Sequence, residues 1–211
     1  MGNDALYSFN VTSDTSTYNT AVGNSAGLLL TTGVQNTLIG GLAGDALTTP
    51  SYNTAVGYSA LSSDTLGARN TAIGQEALAS QNFTSATDSY NTAVGMNAGR
   101  LVTTGIENTL IGGLAKALDA NTTANGNTAI GGYALTANTT GALNVAVGWA
   151  ALYDNTTGAD NTAVGRSALG NNTTAADNVA VGSNALYTNT TGTANVSIGT
   201  SSMYANTTAS N

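Results

Sequence analysis

One pentapeptide, Asn-Thr-Ala-Val-Gly with its variants, recurs eleven times along this 211-residue chain, and that recurrence limits the possible folds more than any other feature. Copies begin at Asn19, Asn36, Asn53, Asn70, Asn91, Asn108, Asn127, Asn144, Asn161, Asn178 and Asn195. Eight of the ten intervals are 17 residues; the other two are 21 (Asn70 to Asn91) and 19 (Asn108 to Asn127). A short fixed period is the signature of a repeat architecture. Seventeen residues are too few for a helix pair or a propeller blade, and they suit one coil of a β-solenoid.

Let each asparagine be position 0. Position 1 is Thr or Val, position 2 Ala, Leu or Ser, and position 3 always Val or Ile. Position 4 is always glycine: Gly23, Gly40, Gly57, Gly74, Gly95, Gly112, Gly131, Gly148, Gly165, Gly182 and Gly199. Position 7 is Ala in ten copies, and position 8 is usually Leu, as at Leu61 and Leu152. Asn-Thr-Thr recurs at Asn121, Asn138, Asn155, Asn172, Asn189 and Asn206. Two stretches near the N-terminus return 72 residues later, so a four-coil block is duplicated: Thr31-Thr32-Gly33 reappears as Thr103-Thr104-Gly105.

These columns predict an all-β, parallel β-solenoid of about eleven coils, with residues 1–18 a partial coil and the whole chain one repeat array. Positions 1 and 3 share a strand face, and their β-branched residues suit a strand. Glycine at position 4 ends that strand by a left-handed backbone or a close approach. Ala-Leu at positions 7 and 8 is read as the start of a second strand, and Asn-Thr-Thr-Gly as the return turn. In-register stacking about 4.8 Å apart places the position-0 asparagines in an amide-bonded ladder and makes a rod about 50 Å long.

Counting the Val or Ile of position 3 as interior, with the alanine of position 7 and the leucine of position 8, leaves a thin core. The position-2 residues then lie on the outer face. Burying that face against parallel copies of the chain predicts a side-by-side homotrimer. Both ends cut the array within its period, which leads us to expect an excerpt of a longer fibre.

Composition narrows the chemistry. The chain has no Cys and no His, so Cys nucleophiles, Ser-His-Asp triads and nearly all zinc or copper sites are excluded, and neither an enzyme nor a cofactor is expected. Net charge is −7, and the four basic residues, Arg69, Arg100, Lys116 and Arg166, are scattered, which argues against nucleic acid. No apolar run approaches the roughly 20 residues of a membrane span, so no membrane insertion is expected in this segment. Asp154, Asp160 and Asp177 lack a calcium-loop spacing and read as solvated turn residues. The Asn-x-Thr sequons coincide with the turn motif and read as structural.

The aromatics Tyr133, Trp149, Tyr153, Tyr187 and Tyr204 occupy variable slots. They are the candidates for contact with the flat face of a glycan; the alternative is stacking that stabilises the rod. Tyr18, Tyr52 and Tyr90 precede position 0 and are expected to cover a corner.

Asn-Thr-Ala-Val-Gly-x-x-Ala-Leu followed by Asn-Thr-Thr-Gly resembles the head repeats of trimeric autotransporter adhesins of the YadA-head type. It is also similar to repeats of phage and bacterial fibre proteins that carry an endosialidase-type intramolecular chaperone. The resemblance covers nearly the whole chain. It implies a left-handed parallel β-roll, trimerised side by side, extracellular on a cell surface or a virion, and engaged in attachment to a surface glycan or host receptor. An architectural filament without ligand is the alternative. A lesser one is an ice-binding solenoid using the Thr-Thr column.

Overall fold

The computed structural model describes residues 2–10, 16–112 and 123–210. Lys116, Asn121 and the insertion of the 19-residue coil lie outside the described residues. Among those described there is no helix, and eleven three-residue strands form one parallel sheet. They are β1 (Thr20–Val22), β2 (Thr37–Ile39), β3 (Thr54–Val56), β5 (Thr71–Ile73), β7 (Thr92–Val94), β8 (Thr109–Ile111), β9 (Thr128–Ile130), β10 (Val145–Val147), β11 (Thr162–Val164), β12 (Val179–Val181) and β13 (Val196–Ile198). Every strand pairs with the equivalent strand of the next coil without slip, as in Val145↔Thr162, Ala146↔Ala163 and Val147↔Val164. The molecule is a parallel β-solenoid whose axis follows the repeat.

The 21-residue coil spends its extra residues on β6 (Thr87–Asp88), which pairs in parallel with β4 (Gly67–Ala68) of the coil before. The insertion therefore adds a small second sheet and leaves the register of the main sheet intact.

The strand faces are the reverse of the sequence expectation. Position 2 points inward: Leu38, Ala55, Ala93, Ala146 and their equivalents as far as Ala180 are fully buried, and Ala21 is partly buried. Position 3 points outward, with Val22 47%, Ile39 37% and Ile111 38% exposed. The apolar residues left uncovered on the strands are the β-branched ones, not the position-2 residues. The reason lies in parity. Positions 0, 2 and 4 share one strand face, so an inward asparagine at position 0 carries positions 2 and 4 inward with it.

The predicted second strand does not form either. Positions 6 and 8 both have left-handed backbone, as in Ser59 (φ 53°) with Leu61 (φ 53°) and Ala150 (φ 53°) with Leu152 (φ 51°). A strand would send the side chains of positions 7 and 8 to opposite faces, whereas this kinked path buries both Ala60 and Leu61. A left-handed Leu costs about 1–2 kcal/mol. Burying its side chain contributes about 1.5–3 kcal/mol, so burial wins. The kinked path remains bonded between coils: Ser59 N–H donates to the Gly41 carbonyl below (2.9 Å), and Leu61 N–H to the Ala77 carbonyl above (2.9 Å).

Glycine at position 4 answers two demands at once. Gly57 sits at φ 140°, and a Cβ placed there would lie 2.4 Å from the Gly74 carbonyl oxygen. No side chain fits such a corner at this coil spacing.

The core holds a volume exchange between columns. Where position 8 is Leu, position 11 is polar, as in Leu61 with Asp64 and Leu135 with Asn138. Where position 8 is glycine, position 11 is apolar: Gly27 with Leu30, Gly44 with Leu47, Gly99 with Val102. A Cβ at Gly44 would come within 2.8 Å of both Leu38 and Leu47. The interior thus takes one large aliphatic group from either column in these coils.

Candidate functional site: two amide ladders and an aromatic depression

The position-0 asparagines are buried from Asn36 to Asn195 and bonded to one another along the rod. In each step the amide oxygen accepts the backbone N–H of the asparagine in the coil above, and in most coils the amide nitrogen serves two acceptors. Asn161 Nδ2 donates to Asn144 Oδ1 (3.2 Å) and to the Ala175 carbonyl (2.8 Å). Its Oδ1 accepts from the backbone N–H of Asn178 (3.0 Å) and from Asn178 Nδ2 (3.1 Å). Amides suit this role because each offers a donor and an acceptor in one plane, so identical groups satisfy each other when stacked.

A second ladder escaped the sequence reading, which treated Asn-Thr-Thr as a turn only. Asn138, Asn155, Asn172 and Asn189 are fully buried at position 11. Asn155 Nδ2 donates to Asn138 Oδ1 (3.0 Å), and Asn172 Nδ2 to Asn155 Oδ1 (2.8 Å). Each also closes its own turn, as Asn155 does on the Gly158 carbonyl (2.9 Å). The exchange between columns 8 and 11 is the signal that marks position 11 as interior. These four asparagines each head a sequon, and burial keeps their amides from modification in the folded chain. The neighbouring threonines are engaged too: Thr139 and Thr156 hydroxyls donate to the Thr156 and Thr173 carbonyls (both 3.0 Å).

Asp64 takes the position-11 slot in its coil and is buried as a satisfied acceptor. It receives Gln81 Nε2 (2.6 Å) and the backbone N–H groups of Gly67 (3.0 Å) and Phe83 (3.2 Å). Gln81 Oε1 in turn accepts from Asn91 Nδ2 (2.8 Å), which joins the two polar columns across the core.

On the outside, the candidate aromatics fall into two groups. Tyr133 meets Trp149 edge-to-face at 4.7 Å and Tyr153 at 6.3 Å between ring centroids. Together with Ala150 these three line a surface depression of about 440 Å³. Trp149 is 55% exposed and Tyr153 42%. Tyr187 and Tyr204 stack at 5.3 Å two coils further on. Tyr187 also fills the space over Gly170, where a Cβ would meet its ring at 2.7 Å. The position-9 column therefore binds itself together at one end and opens a concavity at the other.

The expected corner cover by Tyr18, Tyr52 and Tyr90 does not occur, since all three project outward with left-handed backbone. Tyr52 and Tyr90 instead flank the Arg69 guanidinium, at 4.5 and 5.8 Å from the ring centroids. Arg69 Nε also donates to Asp88 Oδ2 at 3.0 Å, which ties β4 to β6. That hydrogen bond, ahead of any charge effect, raises the Arg69 pKa further above its ordinary value. Asp160 and Asp177 are exposed and Asp154 half-buried, and among the described residues no cluster of three or more carboxylates could hold a metal ion.

Comparison of the chain with protein-family models, with curated proteins and with solved structures finds no match.

Proposed function

We propose that the chain is the shaft or head segment of an attachment fibre, built as a rigid extracellular rod on a cell surface or a virion. The observation that carries this reading is the outer strand face. Eleven strands in unbroken register leave two straight columns, Thr or Val at position 1 and Val or Ile at position 3, partly open to solvent. The position-3 column is apolar throughout, flanked by a mostly threonine column at position 1, and an apolar line of that length is a surface built for a partner. The partner has to match ridges about 4.8 Å apart over about 50 Å, and another copy of the same coil array does so by construction.

We take the assembly to be a side-by-side trimer of left-handed coils, in line with the resemblance of the repeat to YadA-head and fibre repeats. Two lines of amides and a thin aliphatic core make each coil an architectural unit. Attachment then falls to exposed side chains or to neighbouring parts of the fibre, and no catalytic role is assigned. A purely architectural filament differs from this only in lacking a ligand.

Light scattering tests the assembly. The expected mass is three times that of one chain, and a stable folded monomer refutes it. Ile73→Asp with Ile111→Asp, both on the outer face, is expected to release monomers that keep the β circular-dichroism spectrum.

A further inference from the structure

We propose that the Tyr133–Trp149–Tyr153 depression, together with Arg166, binds an anionic pyranose, a sugar ring bearing a carboxylate, as found in acidic surface polysaccharides. This rests on the attachment reading above and names the ligand class of the site.

The geometry supplies the two parts of such a site. The first is an aromatic platform. The Trp149 indole and Tyr153 ring are substantially exposed, and the edge-to-face contacts with Tyr133 brace both. The flat C–H face of a pyranose packs on such rings, and the depression of about 440 Å³ falls within the roughly 300–1,000 Å³ of small-ligand sites.

The second part is a cation placed beside it. Val147↔Val164 pairing and the bond from Ser167 N–H to the Trp149 carbonyl (2.8 Å) put Arg166 in the same column as Trp149, one coil or about 4.8 Å along the rod. Arg166 is exposed, and among the described residues no ion pair or ring contact engages it. Arg69, by contrast, is held by Asp88 and two tyrosines. Arg166 stands outside the lining of the depression, one coil along from the exposed indole, and on a chain of net charge −7 its unpaired guanidinium selects for a carboxylate carried by a sugar seated on the rings, which it can meet with two parallel hydrogen bonds. The site lies beyond the Gly148 corner, off the strand face assigned to self-association.

Trp149 is the single tryptophan of the chain, so its fluorescence reports on this site alone. The full chain is titrated with methyl β-D-glucuronide and with methyl β-D-glucoside, which differ in the group at C6. The glucuronide is expected to bind about three- to five-fold more tightly at low salt, the scale of one exposed charge pair. The ratio should fall to about one in Arg166→Gln, and also in about 1 M salt, where the screening length is about 3 Å. Tyr153→Ala should weaken both sugars. Equal affinity, tighter binding of the neutral sugar (as Asp154 beside Tyr153 would favour), or no response to either overturns the proposal. Light scattering on the same samples separates the two readings, because a failed titration on an intact trimer removes the sugar site and leaves the rod.

Discussion

Replacing Asn161 with alanine tests whether the buried amide ladder holds the rod together. The side chain makes four hydrogen bonds: two from its Nδ2, to Asn144 Oδ1 and the Ala175 carbonyl, and two into its Oδ1, from Asn178. Not all four losses are equal. Ala175 keeps a donor in Asn172 Nδ2 (3.0 Å), Asn144 Oδ1 keeps the Asn161 backbone N–H (3.0 Å), and Asn178 Nδ2 keeps the Ala176 carbonyl (3.0 Å). The group left stranded is the buried backbone N–H of Asn178. An orphaned buried donor costs about 1–3 kcal/mol, and each lost bond about 1 kcal/mol net. The expected destabilisation is about 3–4 kcal/mol: about 2 kcal/mol for the stranded donor and, at the low end of the net range because the partners keep other bonds, about 0.5 kcal/mol for each of the other three. Native-state hydrogen exchange suits a stacked array, because local opening is read coil by coil. The amides near Asn178 should exchange roughly 150- to 700-fold faster, since about 1.4 kcal/mol is tenfold, while amides of the distant β2 and β3 change little. Asn161→Asp keeps the shape but turns the donor into an acceptor facing Asn144 Oδ1, and should be at least as damaging. An alanine variant within about 0.5 kcal/mol of the parent, the range of an ordinary surface change, would refute the ladder as a stabilising element.

Gly57→Ala forces a Cβ to 2.4 Å from the Gly74 carbonyl and should cost about 3 kcal/mol or more in thermal or urea melts, with misassembly as the extreme outcome. Gly44→Leu alone should be severely destabilising. The triple variant Leu38→Ala, Gly44→Leu, Leu47→Asn recreates the alternative column arrangement and should recover at least about 1–2 kcal/mol of that loss; additive effects would sink the volume-exchange account. Asp45 has a buried Oδ1 without a hydrogen-bond partner, and burial raises its pKa against the lowering effect of two backbone amides. The folded chain therefore favours the protonated acid, so this contribution is fully present below the unfolded carboxyl value near 4 and is lost as pH rises through the folded value. Asp45→Asn should raise the melting temperature at pH 7, by less than about 1 kcal/mol of stability because the group is partly solvated, and should have no such benefit at pH 3.

The amino-acid sequence determined the period, the stacking axis and the glycine corners, because each is a strictly recurring column and stacking turns recurrence into register. The asparagine and glycine columns could be placed with no knowledge of what surrounds them. The same regularity left the inside and outside of the strand undecided. In β3, Thr54 and Val56 lie on one face and Ala55 on the other, and both faces are apolar enough to be buried, so no polar contrast breaks the tie. The tertiary structure broke it by volume and parity. The narrow interior accommodates Ala55 beside Ala60 and the single Leu61, and an inward Asn53 carries Ala55 inward with it. Likewise, two adjacent buried residues such as Ala60 and Leu61 cannot share one face of a strand, so the backbone takes left-handed steps that no local propensity for Leu would suggest. Closeness of Tyr133, Trp149 and Tyr153 depends in the same way on ring packing across coils, where the sequence shows only three residues in variable slots.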